Sequence, residues 1–142
     1  MPKKILVADD NRDAADSLVV LLEWLGYEAM AVYDGAAAVQ VARTFGPDLV
    51  ILDINMPVMD GYEAARSLRR AEGDRLLLAA VTGAPGWETR TKAEQVGFDA
   101  HYGKPMDGRD IEALLSRLHG QPKDVDRPGT DRPGEGSSAK CP

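Results

Sequence analysis

Leu49-Val50-Ile51-Leu52 is an unbroken apolar run flanked by Pro47 and Pro57, and it ends directly in a carboxylate, Asp53. A run this short, bounded by prolines, is too short for a buried helix and reads as a strand covered on both faces. Strands of that kind belong to parallel sheets sandwiched between helices. A carboxylate at the carboxyl end of a central strand stands at the rim of the sheet, where open α/β sheets bind their ligands. Asp53 is therefore the residue around which the remaining pattern is read.

The neighbouring segments alternate between short apolar runs and helical periodicity. Lys4 to Ala8 is a first strand, ending in Asp9-Asp10-Asn11, two carboxylates and a residue of helix-capping type. Leu18, Leu21, Leu22 and Leu25 follow at i, i+3, i+4 and i+7, one face of a helix that Gly26 closes. Tyr27 to Tyr33 reads as strand two, Asp34-Gly35 as a turn, and Ala38, Val41, Ala42 and Phe45 as the inner face of a second helix broken by Gly46-Pro47. After the central strand come the loop Ile54 to Asp60 and a third helix, about Tyr62 to Ala71, with Ala65 and Leu68 inward and Gly73 as its stop. Leu76 to Val81 is a second two-sided strand, stopping at Thr82-Gly83.

Trp87 to Val96 has helical residues but a poor apolar stripe, so this fourth helix is expected to be the least firmly packed. Phe98 to Gly103 is a fifth strand ending at Lys104-Pro105. Asp107 then caps a last helix with Ile111, Leu114, Leu115 and Leu118 on one face. Five strands alternating with five helices, joined by right-handed crossovers, predict an α/β domain with a doubly wound five-stranded parallel sheet and helices on both faces. The domain is expected to span residues 1–120. Residues 121–142, rich in Pro, Gly, Ser and Asp with two Asp-Arg-Pro-Gly copies, are expected to be a disordered tail.

Composition narrows the function classes. The formal charge is -6, and the segment from Gln121 is balanced, so the acidic excess lies in residues 1–120. An acidic body disfavours a nucleic-acid surface, which needs clustered Lys and Arg. The one cysteine, Cys141, permits no internal disulfide and suits a reducing compartment. No apolar stretch approaches the ~20 residues of a membrane span, and no leader precedes strand one, so the expected location is the cytoplasm.

In a parallel sheet the carboxyl ends of all strands meet at one edge. Asp9, Asp10, Asp53, Thr82 and Lys104 are thereby predicted to be neighbours. Clustered carboxylates repel unless a cation stands among them. A few hard oxygen ligands with room for water suit Mg²⁺; the spacing does not fit a twelve-residue calcium loop, and no His or Cys cluster offers a zinc site. The chemistry this set supports is phosphoryl transfer to a carboxylate, which needs position and charge compensation but no general base. Asp53 is the expected nucleophile, Asp9 and Asp10 the metal ligands, and Lys104 and Thr82 the partners of the transferred group.

Those residues, together with Leu52-Asp53-Ile54-Asn55-Met56-Pro57, Asp60-Gly61, Thr82-Gly83 and Lys104-Pro105, resemble the response-regulator receiver domains of bacterial two-component signalling, the CheY-like family. The similarity runs from Lys3 to about Leu118. It implies a flavodoxin-like strand order 2-1-3-4-5 and phosphorylation of Asp53. It also implies Mg²⁺ held by Asp10, Asp53 and the main-chain carbonyl of Asn55 with Asp9 assisting. The implied donor is a sensor histidine kinase or a histidine phosphotransfer protein. Such a chain is a signalling switch rather than an enzyme acting on other substrates. With no DNA-binding or catalytic module after Gly120, its expected output is protein contact with a downstream partner or relay of the phosphoryl group.

One position departs from the family. Three residues before the lysine, where receivers commonly carry Tyr or Phe as a rotating switch, stands His101, with Tyr102 beside it. Both are candidate switch residues. Two other functions share parts of this pattern. A magnesium-dependent phosphatase of related aspartyl-phosphate chemistry usually has a second Asp two residues after its nucleophile, where this chain has Asn55. A flavin module of the same fold would set its cofactor phosphate against the carboxylates of the first strand end. Trp24 is expected at the core edge, Trp87 on a partner-binding face or half-buried beside Pro85, and Met56, Met59 and Met106 as gap fillers near the site.

Overall fold

The computed structural model describes residues 3–56, 59–83 and 86–120. The expectations for the tail, Pro57 and Pro85 lie outside the described residues. Five strands, β1 (Lys4–Ala8), β2 (Glu28–Val32), β3 (Leu49–Asp53), β4 (Leu77–Thr82) and β5 (Ala100–Gly103), alternate with five helices. These are α1 (Arg12–Trp24), α2 (Gly35–Phe45), α3 (Gly61–Glu72), α4 (Trp87–Val96) and α5 (Gly108–Leu118), with a short 3₁₀ turn at Gly73–Arg75. All strand pairs are parallel, in the expected order β2-β1-β3-β4-β5.

β3 is buried along its whole length and lies at the centre of the sheet. Alternate residues point to opposite faces of a strand. Leu6, Ala8, Val50, Leu52, Leu78 and Ala80 join one core cluster with Ala38 and Ala42 of α2, Ala64, Ala65 and Leu68 of α3, and Ala93 of α4. Ile5, Val7, Leu49, Ile51, Ala79 and Val81 alternate with them and are also buried, which is the two-sided burial that the unbroken apolar runs predict.

Helix entry is set by side chains. Asn11, Asp34 and Asp60 accept from the backbone amides of Ala14, Ala37 and Glu63 and so cap α1, α2 and α3. α4 has Gly86 at its N-cap position with no side-chain cap and buries only Ala93, as its weak stripe predicts. From Asp107 the chain forms a second compact unit. α5 opens on a capping box between Asp107 and Asp110 and buries Leu114.

Several boundaries and faces differ from the sequence reading. β2 is Glu28–Val32, without the flanking tyrosines, and β5 starts at Ala100, because Phe98 still closes α4 by donating its amide to Ala93 O at 3.0 Å. The face of α1 is also turned. Ala15 and Leu22 are buried, whereas Leu21 and Leu25 are 39% and 47% exposed. Trp24, expected at the core edge, is 84% exposed, since the inward face runs through Ala15 and Leu22 and leaves Trp24 on the outer side.

Candidate functional site

The strand register brings the predicted residues to one level. Ala8 pairs with Leu52, so Asp9 stands beside Asp53; Asp53 pairs with Val81, and Thr82 with Gly103, the residue before Lys104. The ends of β1, β3, β4 and β5 thus form one continuous edge. Backbone bonds hold it: Ile54 N donates to Val81 O at 3.0 Å, and Lys104 N to Thr82 O at 2.8 Å.

Asp9, Asp53 and Thr82 are buried polar residues, while Asp10 is exposed. One carboxylate oxygen from each of Asp9, Asp10 and Asp53 lies within 4.8 Å of the other two. Lys104 Nζ reaches Asp9 Oδ2 at 2.9 Å and Asp53 Oδ2 at 3.0 Å. The remaining oxygens are tied locally, Asp9 Oδ1 accepting from Asn11 N at 2.9 Å and Asp53 Oδ1 from Asn55 N at 3.1 Å. One ammonium therefore compensates two carboxylates, and Asp10 adds a third negative group.

Burial pushes the Asp53 carboxyl up to about 6; the Lys104 ammonium and the Asn55 amide pull against that rise, and the nearby Asp9 adds to it. Burial alone would lower the Lys104 pKa, but hydrogen bonds from its ammonium to Asp9 and Asp53, with their charges, outweigh it and hold the group above its ordinary value. The notch is short of positive charge. Three hard oxygen donors, one of them on an exposed residue, fit a small divalent cation that keeps part of its water.

Residues 5–116 match the response regulator receiver domain family. This chain belongs to that family. It is 36% identical over 118 residues to the response regulator MprA of Mycobacterium sp. (strain KMS), covering 83% of this chain and 50% of that protein. It thus spans about half the length of the curated relatives it matches. Its fold is similar to a CheY-like receiver domain protein from Methanospirillum hungatei JF-1, with TM-score 0.79 and 27% identity over 85% of this chain and 97% of the other. It is also similar to the receiver domain of a sensor histidine kinase from Pseudomonas aeruginosa PAO1, with TM-score 0.76 and 30% identity over 85% of this chain and 100% of the other. That structure has a magnesium ion coordinated in its active site cleft.

In this receiver domain the candidate switch residues lie on β5, His101 paired with Ala80 and Tyr102 with Val81. His101 Nε2 is buried with no hydrogen-bond partner. Burial, helped by the Arg90 charge and opposed by Glu94, lowers the His101 pKa. Trp87, at the start of α4, is 75% exposed. Met56 is buried and Met59 partly buried against the core, as gap fillers would be. Sequence reasoning missed the double pairing of Lys104: spacing places the lysine at the site, but it carries no signal that in this state the ammonium joins Asp9 to Asp53.

Among the described residues no helix is long and apolar enough to cross a membrane.

Proposed function

We propose that this receiver domain accepts a phosphoryl group on Asp53 from a histidine kinase or histidine phosphotransfer protein. The observation that carries the reading is Asp53 itself: a buried carboxylate at the end of the central strand, 3.0 Å from the Lys104 ammonium and within 4.8 Å of two further carboxylates. An Asp53 oxygen attacks the phosphorus of a phosphohistidine, the P–N bond breaks, and the imidazole leaves and takes up a proton. The product is an acyl phosphate.

Asp9, Asp10 and Asp53, with the Asn55 main-chain carbonyl, would hold Mg²⁺. Bound there, the ion supplies charge compensation for the phosphoryl oxygens. Lys104 would pair with the transferred group, and Thr82, at the end of the intervening strand, would donate its hydroxyl to a phosphoryl oxygen. His101 and Tyr102, on the strand next to Thr82, are the proposed switch residues that report this change to the surface. Output passes to an unidentified downstream protein or onward in a phosphorelay.

The receiver unit is proposed to run to Gly120, with the family match through residue 116 in support. A cytoplasmic setting belongs to the same reading, as does the absence of turnover beyond the domain's own phosphorylation and dephosphorylation. The phosphatase alternative is not favoured, because Asn55 stands where that chemistry needs an acid.

The test is label incorporation from a small phosphodonor with Mg²⁺. Wild type is expected to be labelled and Asp53→Asn to take up none; equal labelling of the two proteins would reject the site.

A further inference from the structure

We infer that Gly61, the first residue of α3, is a positioning residue for Asp53: by having no side chain it lets the peptide unit that carries the Asp53 carbonyl rest directly against the start of the helix. The inference rests on the phosphorylation of Asp53 proposed above.

A Cβ placed on Gly61 would stand 2.6 Å from the Asp53 carbonyl oxygen, 2.7 Å from Ile54 Cα and 3.2 Å from the Asp53 carbonyl carbon. All three atoms belong to one planar peptide unit of the backbone, so no side-chain rotation relieves the contact. The local conformation does not itself demand glycine, since the φ of Gly61 is not positive. Helix propensity argues for alanine, the better helix former. What excludes a side chain here is the approach to Asp53.

The helix side of the contact is the stiffer one. Asp60 Oδ1 accepts from Glu63 N at 3.0 Å and Asp60 O from Ala64 N at 3.0 Å, which fixes the first turn of α3. Ala64, Ala65 and Leu68 are buried in the core. Moving α3 away would unpack all three and lengthen the bond from Gly61 N to Ile54 O, now 2.9 Å. On the other side the peptide unit is the last of β3, and its amide is held by Val81 O at 3.0 Å. A methyl carbon needs ~3.5 Å from its carbon neighbours, so it turns this unit aside.

The carboxylate turns with it. Asp53 Oδ1 accepts from Asn55 N at 3.1 Å, a bond that closes over this same peptide unit, and Asp53 Oδ2 accepts from Lys104 Nζ at 3.0 Å. Lys104 keeps its own place through its amide, which donates to Thr82 O at 2.8 Å. A displaced Asp53 therefore loses its alignment both with Asn55 N and with the ammonium. A misplacement of about 1 Å at a reacting centre can cost ~100-fold.

The experiment follows label incorporation from a small phosphodonor at saturating Mg²⁺, over a range of donor concentrations, for wild type, Gly61→Ala and Leu68→Ala, with urea unfolding of each. Gly61→Ala is expected to lower the maximal rate by about 10- to 100-fold and to change the half-saturating donor concentration by less than about threefold, because attack is impaired and donor binding is not. Leu68→Ala loosens the seat of the same helix without touching Asp53. It is expected to lose stability while its folded form keeps the wild-type rate.

A wild-type maximal rate in Gly61→Ala overturns the inference, as does an equal loss of rate in Leu68→Ala. If Gly61→Ala is unfolded in buffer, variant and wild type are compared in trimethylamine N-oxide, which favours the folded state. A variant still unfolded there also overturns the inference, since the glycine then serves folding and not the placing of Asp53. A wild-type protein that takes no label overturns the proposed function first, a result distinct from Gly61→Ala failing alone.

Discussion

Lys104 donates from Nζ to Asp53 Oδ2 across 3.0 Å, joining the end of β5 to the end of β3 over the intervening β4. Thr82 ends that intervening strand. In the proposed reaction these three residues would surround one phosphoryl group. In the resting state the ammonium is spent on Asp53 and Asp9 together.

Removing that ammonium should slow phosphorylation more than it weakens the fold. Lys104→Met is expected to reduce the initial rate of label incorporation at saturating Mg²⁺ by about 100-fold, the scale of losing one preorganised charge-stabilising donor. Lys104→Arg should not restore it, because a planar guanidinium cannot replace a compact ammonium placed between two carboxylates. A wild-type rate in Lys104→Met would reduce the lysine to a resting-state counterion.

The raised Asp53 pKa makes a claim about stability with a definite sign. A carboxyl whose folded pKa lies above its unfolded value favours folding fully below the unfolded value, roughly pH 4. That contribution is lost as the pH rises through about 6. Without divalent ions, Asp53→Asn should thus be more stable than wild type at pH 7 by ~1–3 kcal/mol, with the gap closing towards pH 4. Urea unfolding in a chelator at the two pH values measures it. Mg²⁺ affinity of the wild type should likewise fall as the pH drops below about 6, because the proton and the ion compete for Asp53. A stability gap independent of pH would contradict the burial argument.

What could be read in advance follows from which forces act locally. The four residues before Asp53 declare two-sided burial by themselves, and from the parallel arrangement Asp9, Thr82 and Lys104 must share its edge. The inward face of α1 was not legible in the same way. Periodicity identifies an apolar stripe but not which side of it meets the sheet, and the small Ala15, which is buried, leaves less signal than Leu21 or Leu25. The start of β5 depends on a contest between strand pairing and the end of α4, which Phe98 settles in favour of the helix by donating to Ala93 O. The close approach of Gly35 to Met59 joins two segments whose meeting no spacing rule reports.

Arg69 ties together segments that the sequence leaves unconnected. Its guanidinium donates to Gly97 O at 2.6 and 3.1 Å, to Gly73 O and Leu76 O at 2.7 Å each, and to Asp99 Oδ2 at 2.7 Å. The same Asp99 oxygen accepts from Leu78 N at 2.9 Å. One side chain thus fastens the end of α3, the start of β4 and the end of α4, at the edge of the sheet opposite Asp53. α4 needs this fastening, because it buries only Ala93 and has no side-chain cap at its start. Arg69→Met should take these donors from the two partly buried carbonyls of Gly97 and Leu76 and cost ~2–4 kcal/mol, with Arg69→Lys recovering little because it lacks the fork. Amide exchange should accelerate at Ala93 to Phe98 while labelling of Asp53 persists. If exchange across α4 stays at the wild-type rate, the helix is held by something other than this guanidinium.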